Sequence, residues 1–360
     1  MPQDFDTSAA WRAGELERDR SWIFTVAEAD RAQMAATVQA AFDPDRDLLD
    51  YRREEFDLGP GLDTVRAATR EAHFGRGVAL VKGLPRANMT PDEFRLLSWA
   101  IGLQLGVARP QGKATHYLSE VKSAGMDYRS AGGRGYNSNA KLDFHVDSCD
   151  LVTLACYNKA KAGGQSMVTS SVVAWQTLSA ERPDLAEIAL QPFYFSRNQE
   201  EAPDEAPFYG QPLFDFADGR LFCKWNRNRV RTAQALEGVP PMTDAQRETA
   251  DTLDEILRRP DLMFTMWLEP GDLQIMNNHV ALHSRTEFED FEAPEQKRLL
   301  HRLWLAPPDS VQLPESWRVY FRAVEPGTVR GGFRGHCYDA TRHAFEQRQA
   351  ASLGMSTAIA

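Results

Sequence analysis

The sequence predicts an α+β fold, a β-sandwich or jelly-roll core flanked by helices, with a helical N-terminal part. Three observations carry this expectation. The first 75 residues are Ala-rich and charge-interleaved, with helical spacing over roughly 9–20, 25–42 and 62–73. From residue 142 onward the texture changes to short apolar runs of strand length bounded by turn residues. Asp218-Gly219, between two such runs, is a two-residue hairpin signal. Grouped helices with hairpin-joined strands point to α+β rather than to alternating β and α units.

The elements follow in order. Asp43-Pro44-Asp45-Arg46-Asp47 and Gly59-Pro60-Gly61 break the early helices, and Val78–Val81 reads as a short buried strand. Thr90-Pro91-Asp92-Glu93 is a helix start, with a capping Thr, Pro at the first helical position and Glu to close a capping box. That helix should run to about Gly106. Residues 123–141 are rich in Gly, Ser and Asn and read as a long loop of the kind that carries function. Leu151–Tyr157, Ser166–Ser170, Pro192–Ser196, Pro212–Phe216, Arg220–Trp225, Leu262–Leu268, Asp272–Met276 and Leu299–Leu305 read as strands. Val172–Leu190, interrupted at Pro183, and the segment from Thr243 to about Arg259 read as helices. With no linker in view, residues 1–75 form a helical part packed on a core domain over 76–340, followed by a helical tail over 341–360.

Composition excludes several classes. At 360 residues, 42% hydrophobic and 26% charged, the chain can bury a large core and is neither fibrous nor disordered. A formal charge of −10 disfavours nucleic acid and anionic membrane surfaces as partners, but not a small anion held in a local basic pocket. Four scattered cysteines without a CxxC pair argue against a disulfide framework or structural zinc and suit a reducing cytoplasm. The N-terminus has no apolar signal region, and no run of 18 apolar residues occurs. The expected setting is cytoplasmic.

The chemistry gathers in three places. Phe144-His145-Val146-Asp147 puts an imidazole and a carboxylate on alternate positions, which share one side of an extended chain. Alone, such a pair is weak, since a surface His with a solvated Asp is commoner. Far downstream, Gly271-Asp272-Leu273-Gln274-Ile275-Met276-Asn277-Asn278-His279 leads to Val280-Ala281-Leu282-His283. Arg298 and Arg302 follow on one face of a strand. Two histidines and a carboxylate on one face of a metal leave positions open, the pattern of non-haem Fe(II) oxygenases. Open positions accept a chelating 2-oxo acid and O2, and an arginine fork suits the acid's distal carboxylate.

The order His-x-Asp, Gly163-Gly164-Gln165-Ser166, Gly271-Asp272, Asn277-Asn278-His279 to His283, Arg298 to Arg302 resembles the taurine dioxygenase-like branch of Fe(II)/2-oxoglutarate-dependent oxygenases. The resemblance is specific from about Arg134 to Leu305. It implies a double-stranded β-helix, with His145, Asp147 and His283 as catalytic iron ligands. Fe(II) is then the metal, 2-oxoglutarate the co-substrate and O2 the oxidant. It assigns Arg298 and Ser166 to the distal carboxylate of 2-oxoglutarate and Asn139 to a polar contact with co-substrate. Arg302 and Tyr136 fall to a small polar, anionic substrate, and the basic stretch of the sequence adds Arg229 to them. Asp147 stands where halogenases of the family lack a carboxylate, so halogenation is disfavoured. The implied outcome is C–H oxidation, by hydroxylation or hydroxylation-triggered cleavage, with release of succinate and CO2. Relatives are often homo-oligomers.

Plainer readings stand beside these. His279 reads as a polar neighbour of the ligand, although it is the rival third ligand. His301 reads as a core histidine, and Cys149 and Cys156 as structural. His73 and His116 show no partner in the sequence. Lys224–Arg231 is a basic stretch that reads first as a solvated or lid-borne charge run, and functionally as an anion-attracting entrance through Arg227 or Arg229. Arg302 has an ordinary alternative, an ion pair with a carboxylate of the barrel. The alternative function is a redox-silent metal-dependent hydrolase or isomerase on the same barrel, with the triad polarising water.

Overall fold

A computed structural model describes residues 4–123, 125 and 135–357, the side chain of Tyr136 excepted. Most of the long Gly/Ser loop, including Arg134, and the Tyr136 side chain therefore lie outside the described residues.

The largest sheet has seven strands. Its path runs Ile23–Thr25, Val78–Lys82, Leu273–Asn277, Leu151–Asn158, Leu299–Ala306, Val107–Ala108, and Leu118–Val121 also pairs with Leu299–Ala306. Ile23–Thr25 lies parallel to its neighbour, and the other pairs are antiparallel. A second sheet of three antiparallel strands sets Ser166–Ser170 between Phe264–Met266 and Ala281–Arg285.

Side-chain alternation explains how the sheet divides two cores. Ala79, Val81, Leu151, Ala155, Ile275, Leu303 and Leu305 face a helical layer that includes Val38, Val65, Phe94, Leu97 and Trp99. Val78, Leu80, Val152, Cys156, Met276, Leu300 and Trp304 face the other way, toward Met167, Val168, Leu282 and Trp175. Being covered on both sides, Val78-Ala79-Leu80-Val81 is apolar throughout rather than alternating.

The local signals mostly form as read. Thr90 Oγ1 accepts from the Glu93 N–H at 3.2 Å and Glu93 Oε2 accepts from the Thr90 N–H at 2.7 Å, opening the helix Pro91–Leu105. Asp218 and Gly219, with φ of +46° and +67°, turn the hairpin between Phe214–Ala217 and Arg220–Cys223.

Other elements differ. Pro60 starts the helix Pro60–Phe74 instead of breaking it, because the first helical position needs no N–H. The expected strand Pro212–Phe216 is two strands, Phe208–Pro212 and Phe214–Ala217, since the Leu213 N–H turns aside to the Ala189 carbonyl at 2.9 Å. The N-terminal part is not purely helical, because Ile23–Thr25 joins the main sheet as its edge. Among the described residues no helix is long and apolar enough to cross a membrane.

Candidate metal centre and its pocket

His145 and His283 meet through their backbones. The His145 N–H donates to the His283 carbonyl at 3.0 Å, and the His283 N–H donates back at 2.9 Å. The bridge joins the segment before Leu151–Asn158 to the strand Ala281–Arg285, and Asp147 sits one alternation beyond His145. One ligand atom from each of His145, Asp147 and His283 lies within 4.8 Å of the others. His145 Nε2 is 4.0 Å from Asp147 Oδ1, and His283 Nε2 is 3.8 Å from Oδ2.

Neighbours aim these groups. His145 Nδ1 donates to the Asp143 carbonyl at 2.9 Å, which leaves the Nε2 lone pair to the pocket. Asp147 Oδ2 accepts from Trp304 Nε1 at 2.8 Å and from Arg302 Nη1 at 3.3 Å, leaving Oδ1 toward His145. The Asp147 N–H donates to Asn278 Oδ1 at 2.9 Å. Burial, then the charge of His145, pushes the His283 imidazole down to about 3, and burial lowers His145 as well. Burial alone would raise the Asp147 carboxyl, but Arg302, the two imidazoles and the Trp304 N–H hold it well below the usual range. Two neutral imidazoles and one ionised carboxylate are the donor set that a divalent metal requires, and they suit ferrous ion.

Arg298 and Ser166 line the same pocket. Arg298 is 6% exposed, and its guanidinium lies over the Phe288 ring at 5.0 Å with only a long bond, 3.4 Å, to the Val121 carbonyl. No carboxylate among the described residues forms an ion pair with it. Burial pushes it down to about 10, so it remains charged at neutral pH. The Gly163-Gly164 pair has a steric reason. A Cβ on Gly163 would stand 2.0 Å from the Glu287 carbonyl oxygen, where the chain bends at φ +66° to bring Ser166 beside the pocket. Ser166 Oγ donates to Gln274 Oε1 at 2.9 Å, so its hydroxyl must turn before it can serve a ligand.

The remaining expectations separate. Arg302 lines the pocket, but its Nε donates to Gln111 Oε1 at 2.9 Å while its Nη1 holds Asp147. Arg229 lines the pocket with Nη2 on Glu200 Oε2 at 2.7 Å. Asn139 is exposed, its Nδ2 3.4 Å from the Phe288 carbonyl, and does not reach the pocket wall. His279 is held away from the metal group by Asp150, with Nε2 2.9 Å from Oδ1. His301 is buried against Phe94 on the far side of the sheet. The basic stretch is not one charge run. Asn226 caps the short helix Arg227–Ala233, Arg227 turns outward to Asp251, and Lys224 is buried in the pocket wall.

Sequence reasoning missed Gln111 and Trp304, which work on Arg302 and Asp147, and Tyr209, Tyr320 and Phe333, which line the pocket. Trp304 was within reach, since it follows Arg298, Leu300 and Arg302 on the same strand face. Tyr320 and Phe333 carried no signal, as they lie in a segment with no readable motif.

The comparisons with known proteins agree. The family described as "Taurine catabolism dioxygenase TauD, TfdA family" matches residues 45–304. FR-33289 synthase of Streptomyces rubellomurinus is 28% identical over 312 residues, covering 86% of this chain and 92% of its own. Uridine-5'-phosphate dioxygenase of an Amycolatopsis species is 25% identical over 240 residues, covering 63% of this chain and 83% of its own. The non-heme iron oxygenase OrfP, solved with Fe and alpha-ketoglutaric acid, superposes with a TM-score of 0.57 at 16% identity over 79% of this chain and 94% of that one. With the family match spanning most of the chain and the His-x-Asp and His groups assembled in one pocket, this protein belongs to the TauD/TfdA family of non-haem Fe(II)/2-oxoglutarate-dependent oxygenases.

Proposed function

We propose that the protein oxidises a C–H bond of a small, polar, anionic substrate, by hydroxylation or hydroxylation-triggered cleavage, with 2-oxoglutarate consumed to succinate and CO2. The observation that carries this reading is Arg298. A buried guanidinium without a carboxylate ion-pair partner among the described residues, in the pocket of a two-His-one-Asp cluster, suits a receptor for an anionic ligand. A redox-silent hydrolase would give it no task.

In this reading His145, Asp147 and His283 hold Fe(II). Arg298 takes the distal carboxylate of 2-oxoglutarate, with Ser166 beside it once its hydroxyl turns from Gln274. Bound Fe(II) with 2-oxoglutarate and O2 supplies the oxidising power for an unactivated C–H bond. The chain's own residues do the rest. Asp143 and Trp304 fix the ligand orientations, Arg302 keeps Asp147 ionised, and Leu154, Leu268 and Phe333 line the pocket with apolar surface that limits water. Tyr136, Arg229 and Arg302 stay assigned to the substrate and Asn139 to a polar contact with the co-substrate. The two sheets are read as the faces of a double-stranded β-helix over 76–340, with 1–75 and 341–360 packed on it. An anionic substrate has support from the relative named for uridine 5'-phosphate, itself a small phosphate ester.

The test is an anaerobic titration of metal-free protein with Fe(II) and then 2-oxoglutarate, followed by visible absorption. A weak band should appear with the keto acid and be lost in His283→Ala. Iron binding without a band would move the redox-silent reading to first place.

A further inference from the structure

The pocket that Arg298 lines carries a second cationic centre. Lys224 is 3% exposed, lines the same pocket as the metal group, and has its Nζ 4.0 Å from the centre of the Tyr320 ring. No hydrogen bond or ion pair to its ammonium exists among the described residues. Arg229 lines the wall beside it. One of its nitrogens, Nη2, is taken by Glu200, while Nη1 is buried without an acceptor. Tyr209 and Tyr320 stack at 4.3 Å, and a third cation, Arg197, lies 5.0 Å from the Tyr209 ring. A buried ammonium is costly unless something neutralises it. Glu200 answers Arg229, whereas Lys224 has only the Tyr320 ring face and the field of the Asp147 carboxylate, with no anion in ion-pair contact among the described residues.

Arg302 lines the same pocket with two of its nitrogens engaged, Nε on Gln111 and Nη1 on Asp147, whereas the Lys224 ammonium makes no hydrogen bond among the described residues. The shape of the donors also differs between the two cations. Arg298 presents a planar fork, which matches a planar carboxylate. Lys224 presents a compact point charge with three donors, and Arg229 adds a donor from another direction. A compact charge with a further donor from a separate element fits a tetrahedral group better than a planar one.

We propose that Lys224, assisted by Arg229 Nη1, anchors the substrate through a tetrahedral oxyanion of the phosphonate or phosphate-monoester class. The proposal rests on the oxygenase reading for the rest of the pocket and deepens it by naming the substrate's charged end. Burial, then the like charge of Arg229, pushes the Lys224 ammonium down to about 7, the condition of a cation awaiting its counter-ion. An oxyanion in this place supplies that charge inside the pocket that His145, Asp147 and His283 also line.

The experiment is calorimetry at pH 6.5, where the Lys224 ammonium is mostly charged in the empty pocket, on metal-free protein and on anaerobic protein loaded with Fe(II) and 2-oxoglutarate. The probes are n-propylphosphonate, n-propyl phosphate, butyrate and butyramide. Both phosphorus oxyanions should bind at least ~10-fold tighter than butyrate, and butyramide should give no heat. A preference between the first two separates a phosphonate from an ester substrate. In Lys224→Met their affinity should fall by ~30-fold or more, that of butyrate by less than ~3-fold, with 2-oxoglutarate affinity unchanged. Lys224→Arg should recover part of the loss. Methionine keeps the stem and removes the buried charge, so the variant should melt no lower than the wild type. If it nonetheless fails to fold, the melting temperature of the wild type decides, raised by propylphosphonate and not by butyrate. A wild type that prefers butyrate, no phosphonate heat at about 10 mM, or a Lys224→Met protein with undiminished phosphonate affinity overturns the assignment. Failure of the oxygenase reading shows separately, as a missing visible band, while the metal-free titration still reports on Lys224.

Discussion

Replacing Arg298 with methionine should stabilise the empty protein and cripple its hold on 2-oxoglutarate. The guanidinium is pushed from 12.5 down to about 10 by burial. At about 1.4 kcal/mol per pH unit, that displacement corresponds to a burial cost of about 3 kcal/mol. At pH 7.5 the side chain is protonated in the folded and unfolded chain alike, so the cost is present in full. Against it, methionine forgoes the cation's attraction to the Phe288 face, about 0.5–1 kcal/mol, and a long bond to Val121. The net gain for Arg298→Met is therefore about 1–2 kcal/mol, a rise of a few degrees in Tm for the metal-free protein. Co-substrate binding moves the opposite way. Two charge-assisted bonds to the distal carboxylate are worth about 1.5–3 kcal/mol each, so Kd should rise by ~100-fold or more. Differential scanning fluorimetry reads the first effect and the anaerobic visible titration the second. A variant that melts lower and binds 2-oxoglutarate within threefold of wild type would show Arg298 to be a structural cation, and the receptor argument would fall.

Other outcomes follow from the same site. His145→Ala, Asp147→Ala and His283→Ala should each lower 2-oxoglutarate turnover by ~1000-fold or more and lose iron on gel filtration, measured by succinate release and metal content. Trp304→Phe removes the N–H at 2.8 Å from Asp147 Oδ2 and should weaken Fe(II) binding by ~10-fold with the fold intact, read by competition with a chelator. Asp150 is held below its ordinary 3.8 by Arg330 and His279, against the opposing effect of burial. A depressed carboxyl contributes stability that is present above the unfolded value and lost as pH falls through the folded one. Melting curves should accordingly show wild type more stable than Asp150→Asn at pH 6, by about 3–5 kcal/mol, with the gap closing below about pH 4. A gap that stays constant with pH would show that the pair does not titrate with folding.

How much of this was legible depended on the range of each signal. The Thr90–Glu93 box and the Asp218-Gly219 turn are satisfied within a few residues, so the sequence suffices for them. The metal group is a long-range assembly, readable because its residue types and order are distinctive. Arg302 shows the limit. Strand alternation placed it correctly on the pocket side, yet its partners are Gln111 and Asp147, the first from a distant loop with no motif. Lys224 reads as part of a charge run because burial is not written in the sequence. Its neighbour Arg227 faces solvent and Asp251, while Lys224 is turned inward by the strand that precedes the Asn226 cap. The Pro212–Phe216 strand failed for a related reason. Strand propensity is continuous there, but the partners change at Leu213.

The segment after residue 306, silent in sequence, ties the two ligand-bearing segments together. Asp150 lies three residues beyond Asp147, and His279 four before His283. Asp150 Oδ1 joins them by taking His279 Nε2 at 2.9 Å and Arg330 Nη2 at 2.6 Å, with Arg330 and Asp150 both fully buried. The Gly332 N–H donates to the Ser148 carbonyl at 2.6 Å, and Trp317 and Phe321 pack on the His279 ring at 5.4 and 5.6 Å. The tail is therefore part of the frame that sets the spacing of the metal ligands, although none of its residues belongs to the cluster. Arg330→Met separates this from a mere cover. It leaves Asp150 buried with one partner, at a cost of about 3–5 kcal/mol. If the frame sets the spacing, Fe(II) affinity measured well below the melting temperature should also fall by ~10-fold, through ligands Arg330 never touches. Lower stability with unchanged Fe(II) affinity would mean that the His145–His283 backbone bridge alone holds the ligands in place.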